Sequence, residues 1–106
     1  MQRLERLIMD TINEVIKEVF NDEVARVLFD NFFEKNSSVP LDKKLRAFED
    51  SLPRILGSGA IIIEDLILET LYSRLGLKFE REEKSFTDSI MELRLIKVES
   101  EWIIVR

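Results

Sequence analysis

Three carboxylates close together in the chain, Glu64, Asp65 and Glu69, are the residues whose spacing comes nearest to chemistry. Asp65 and Glu69 are one helical turn apart, a spacing that could hold a divalent cation or form an acid–base pair. Cation sites built this way in helical bundles also draw on His, and this chain has none. It also has no Cys, so thiol nucleophiles, thiolate metal sites, iron–sulfur clusters and disulfides are excluded. The lack of imidazole removes the commonest general base and the Ser–His arrangement. Asp, Glu, Lys or Tyr could still move protons, yet no cluster of them converges in the sequence. The plainer reading of the three carboxylates is a wet strip on an otherwise apolar helix.

Three further groups can be weighed in the same way. Gly57-Ser58-Gly59 before a helix could cradle a phosphate on free amides. The Lys-Ser/Thr ending of a phosphate loop is missing, however, and glycines around a serine also make an ordinary helix stop and start. Lys43, Lys44 and Arg46 could meet a phosphate backbone, but Asp42, Glu49 and Asp50 lie among them, as on a solvated helix start. Phe29, Phe32, Phe33 and Phe48 could line a pocket, although aromatics at helical spacing are usually plain core. Trp102 could cover the core or anchor a partner. No catalytic, cofactor-binding or metal-ligating residue emerges, so the expected function is non-enzymatic and without a cofactor.

Charge bears on the partner. The 106 residues carry 16 Lys and Arg against 21 Asp and Glu, a net charge of −5. Only residues 36–57 are positive, with four bases against three acids. Nucleic-acid affinity depends largely on neutralising phosphates, so this balance argues against it. The longest apolar run, Ala60–Ile63, falls far short of the roughly 20 residues that span a bilayer. Met1–Asp10 is interrupted by Arg3, Glu5 and Arg6, unlike a signal peptide. A cytoplasmic protein with no membrane role is the expectation. At 45% apolar residues the chain can fold, and its length suits one domain over residues 1–106.

The elements that would position these groups follow from periodicity. Leu4, Leu7, Ile8, Ile12, Val15, Ile16 and Val19 form one stripe on a helix over residues 2–20. Asn21 or Asp22 can cap a second helix with a wide apolar arc, ending near Lys35 and either largely buried or in contact with two neighbours. Asn36–Pro40 is a loop. A third helix starts at Asp42 as N-cap, buries Leu45, Phe48 and Leu52, and breaks near Ser51 because Pro53 lacks an amide hydrogen. Ser58 can cap a fourth, Ala60–Leu75, that is apolar on almost every face, and Gly76 can end it in a left-handed turn. Leu77–Glu80 alternates like a short strand, and Ser85 with Asp88 can open a short helix burying Phe86, Ile90 and Leu93. Residues 95–106 are β-branched and aromatic and suggest a β-rich extension with a hairpin turning at Glu99-Ser100.

The fold class expected is thus mainly α: four to five helices around a central apolar helix, with a small C-terminal β-hairpin or sheet. The core should centre on Ile63, Leu66, Ile67 and Leu71 against Leu28, Phe32, Ile12 and Phe48. A helix so apolar is either central or also a subunit interface. Ile62, Leu66 and Tyr72, with Trp102, are the residues that such an interface would use.

Residues 23–94 carry a helix with Val27-Leu28-Phe29, then Phe48, Ile55-Leu56-Gly57-Ser58-Gly59-Ala60, Ile63-Glu64-Asp65-Leu66-Ile67 and Leu71-Tyr72-Ser73-Arg74-Leu75-Gly76-Leu77-Lys78-Phe79, with Ser85-Phe86 following. This pattern, about two-thirds of the chain, resembles a family of small archaeal proteins known as the nitrosopumilus output domain. Its Gly-x-Gly-Ala and Leu-Tyr-x-x-Leu-Gly-Leu pieces are moderately specific together. Members occur alone or attached to signalling modules, so the resemblance implies a regulatory output role. The family has no established catalytic residues to carry over, and the segment after Leu95 extends past the resemblance.

The reading is therefore a small regulatory or protein-interaction domain, with a homo-oligomer or another protein as partner. The alternative is a DNA-binding regulator of winged-helix type, with a short helix, a Gly turn, a longer helix and a hairpin wing. A groove-reading helix exposes Arg, Lys, Asn or Gln, whereas Ala60–Leu75 offers only Arg74.

Overall fold

The computed structural model describes residues 3–30, 38–80 and 83–93. Four helices follow in order: α1 (Arg3–Val19), α2 (Asp22–Phe29), α3 (Leu41–Leu56) and α4 (Gly59–Arg74). A fifth, α5, covers 86–93. There is no strand among the described residues, and the fold is mainly α. The β-rich extension over 95–106, the far end of the second helix and the positions of Phe32 and Phe33 lie outside them.

α1 forms as its spacing predicts. Leu4, Ile8, Ile12, Val15 and Ile16 are buried, and Met9 and Thr11 widen the buried face. Val19, the last member of the stripe, is exposed. α1 packs against both α2 and α4, and α4 packs in turn against α3. Asn21, not Asp22, caps α2: its side-chain oxygen accepts a hydrogen bond from the Val24 amide at 2.8 Å. Asp22 and Glu23 then lie at the positive end of the helix. Of the two readings of this helix, largely buried or touching two neighbours, the first does not hold over its described turns. Ala25 and Leu28 are buried, while Val24 and Val27 face solvent.

α3 departs from its expected shape twice. It begins at Leu41 behind Pro40, whose carbonyl accepts from the Lys43 and Lys44 amides, so Asp42 sits inside the first turn and is not the N-cap. It also runs through Pro53 without the expected break near Ser51. Pro53 is exposed and three residues from the helix end, so the ring removes one amide donor in the last turn only. Buried Leu45, Phe48 and Leu52 hold the preceding turns in place.

Gly57 reverses the chain at φ +59° and ψ −131°, a conformation that needs glycine. Ser58 is already helical in its dihedrals (φ −66°, ψ −17°) and makes no capping bond, contrary to expectation. A cap residue reaches forward to the next amides from extended backbone, which Ser58 does not have. The other end of α4 closes as its sequence suggests. The Leu77 amide bonds the Tyr72 carbonyl at 2.8 Å and the Gly76 amide bonds Ser73 at 3.0 Å, with Gly76 at φ +72°. That is the Schellman arrangement. Leu77–Glu80 has no partner strand among the described residues, yet it keeps its alternation: Leu77 and Phe79 pack on the core, Lys78 and Glu80 face water.

α5 is held to α3 by a mixed contact. The Phe48 and Phe86 rings lie 5.9 Å apart, centre to centre. Ser85 caps α5, its hydroxyl accepting from the Asp88 amide at 3.1 Å. Asp88 reaches Arg46 at 2.8 Å. The Glu49 carboxylate accepts both the amide and the hydroxyl of Thr87, at 3.0 and 2.7 Å. Thr87 is fully buried, and no buried side-chain nitrogen or oxygen among the described residues lacks a partner.

Two stability outcomes follow from this packing. Glu49→Ala leaves both Thr87 donors unmet in the interior and should cost about 1–3 kcal/mol, read as a lower urea midpoint with an unchanged slope. Gly57→Ala should cost about 1–3 kcal/mol through backbone strain alone, since a Cβ there meets nothing within 4 Å. An unchanged midpoint in either variant would contradict the corresponding role.

Candidate functional site

α4 presents two faces of unlike character. Ala60, Ile63, Ile67, Leu68 and Leu71 are buried. On the other side Ile61 is 51% exposed, Ile62 64% and Leu66 38%. At about 100° per residue, Ile62, Leu66, Glu69 and Ser73 share one outward strip. The strip is apolar in its first half and polar in its second. One expectation changes here: Leu66 belongs to the surface and not to the core, while α4 is buried along one side only. Ile63, Ile67, Leu71, Leu28, Ile12 and Phe48 are buried as expected.

The expected interface residues are only partly brought together. Ile62 and Leu66 sit one turn apart on the outward strip. Tyr72 is rotated well away from them, packs on the core half-buried, and meets Phe79 edge-on at 5.2 Å. Trp102 lies outside the described residues. Ile61 joins the exposed set, although it was not among the residues expected to form an interface. A helix that is apolar on almost every face has no phase from which to pick it out.

Arg74, the one base on α4, is turned to the bundle. It pairs with Glu14 and donates to the buried Thr11 hydroxyl at 3.0 Å. This contact fixes the rotation of α4 against α1 and removes the helix's one groove-reading side chain. The basic group of α3 disperses as well: Lys44 is buried, Arg46 meets Asp88, and Lys43 is exposed.

The chemical candidates remain apart. Glu64 and Asp65 are half-buried and Glu69 is exposed. Among the described residues no three acidic side chains gather where they could hold a metal ion. Ser58 turns into α4 with no cradle built around it. A depression of about 220 Å³ lies between Tyr72, Leu77, Phe79 and Ser89. It is smaller than the roughly 300–1,000 Å³ of ordinary ligand pockets. Lys78 and Lys84 along its rim are matched by Glu80 and Glu92, with Lys84 paired to Glu92, so it has no net charge to select a ligand. No helix among the described residues is long and apolar enough to cross a membrane.

Comparison with protein-family models, with curated proteins and with solved structures found no match for the chain.

Proposed function

We propose that this chain is a small regulatory or protein-interaction domain, without catalytic activity of its own, that works by docking protein on the outward strip of α4. The carrying observation is Ile61, Ile62 and Leu66 facing solvent on a helix whose other side is fully packed. Scattered apolar residues on a surface are ordinary, but three within six positions of one helix make a local patch. The resemblance to small archaeal signalling output domains supports the regulatory part of the reading. A cytoplasmic setting accords with it. The winged-helix alternative gains nothing from the outward strip, which offers Ile, Leu, Glu and Ser where a groove reader needs cations and amides.

Paired substitutions test the reading. Ile62→Asp should change stability by less than about 1 kcal/mol, because it alters a solvated position. Ile67→Asp buries an unpaired charge at a cost of several kcal/mol and should unfold the domain. Thermal melting by circular dichroism separates the two. Ile62→Asp should also reduce binding of the dye anilinonaphthalene sulfonate to the folded chain. If Ile62→Asp melts as low as Ile67→Asp, the strip is structural and the docking reading falls.

A further inference from the structure

We propose that the occupant of the outward strip is the same strip of a second copy, laid antiparallel across a two-fold axis. The inference rests on the docking reading and narrows it to one partner.

The strip is asymmetric along its length, and the asymmetry is self-complementary. Its apolar half is Ile62 and Leu66, with Ile61 on the flank. One turn further on is Glu69, exposed and acidic. At the opposite end the first turn of α4 holds no acidic residue, and Ser58 makes no side-chain capping bond. A helix start carries partial positive charge and favours a nearby carboxylate. α1, α2 and α3 each have an acid in the first turn; α4 does not.

A two-fold contact is reciprocal: if Leu66 packs on Ile62 of the second copy, Ile62 packs on Leu66 of that copy. With the helices antiparallel, this apolar register determines everything else along the strip. Three residues beyond Leu66, Glu69 comes opposite Gly59 of the second copy, at the start of its α4, which no side chain caps. The apolar contacts and the charge contact are thus satisfied by one register. A parallel arrangement would set Ile62 on Ile62 and Glu69 on Glu69, opposing like charges. The helices must cross at a shallow angle of roughly 20° for the strip to stay in register over this length. With no base on the strip, an anionic surface has nothing to hold it.

A contact strip this short makes for a weak association. Sedimentation equilibrium of the full chain between about 10 µM and 1 mM should show a monomer passing towards a dimer. Ile62→Asp should stay monomeric with its melting unchanged. Glu69→Lys, which sets a cation at a positive helix end, should raise the dissociation constant at least about fivefold at low salt. The chain has no native cysteine, so engineered ones report cleanly. When Ile62→Cys and Leu66→Cys chains are mixed in equal amounts and oxidised, the mixed dimer should exceed the sum of the two homodimers, which is its share under random pairing. A wild-type chain that stays monomeric near 1 mM overturns the inference, as does a dimer indifferent to Ile62→Asp or one that crosslinks best through Ile62→Cys alone. These results leave the docking reading standing with a different protein as occupant. Collapse of the Ile62→Asp fold sinks both.

Discussion

The constraint on which this structure depends is the enclosure of one side of α4. Ile63, Ile67 and Leu71 are withdrawn from water between α1 and α3, and those two helices are oriented by the need to cover them. Burying apolar side chains stabilises by about 1.5–3 kcal/mol each, the largest favourable contribution open to a chain this short. A domain of about one hundred residues has a thin margin over its conformational entropy. Hence the glycine turns at each end of α4 matter: Gly57 and Gly76 direct the chain back onto the helix it has just left or entered.

Polar contacts then select one arrangement among the apolar packings. Arg74 reaches Glu14 and the buried Thr11 hydroxyl on α1. Glu49 takes both donors of Thr87 and docks the start of α5 onto α3 beside the Phe48–Phe86 contact. The Arg46–Asp88 pair is more than half exposed and adds little by itself. The hydrogen bonds to Thr87 weigh more, because their donors have no water to fall back on. Such contacts are directional, and a rotated helix would lose them where an apolar contact would merely shift. They also consume chemistry that the sequence leaves open: Arg74, Arg46 and Glu49 serve the fold.

Among the described residues the three carboxylates of α4 join no cluster that could hold a metal ion, and the depression beside Tyr72 is small and electrically balanced. The outward strip of α4 differs from the rest of the helix in carrying apolar side chains, Ile62 and Leu66, that are exposed to solvent. Its acidic second half, and a helix start that no side chain caps, give the patch a direction along the helix.

Where apolar residues recur with a clear phase, the sequence by itself determined the result. The α1 stripe, the inward residues of α3, the Asn21 and Ser85 caps and the Gly76 ending are all legible, because each depends on contacts within a few residues. Pro53 and Ser58 were misleading for local reasons: one sits too near a helix end to break it, and the other follows a glycine that leaves it helical. α4 was legible as a helix but not as an oriented one. With Ile, Leu and Ala on almost every side its pattern has no phase, so nothing in the order of residues says which side is inside. Only the tertiary structure decided that, by placing α1 and α3 on one side, anchoring Arg74 to Thr11 and Glu14, and leaving Ile62 and Leu66 on the other.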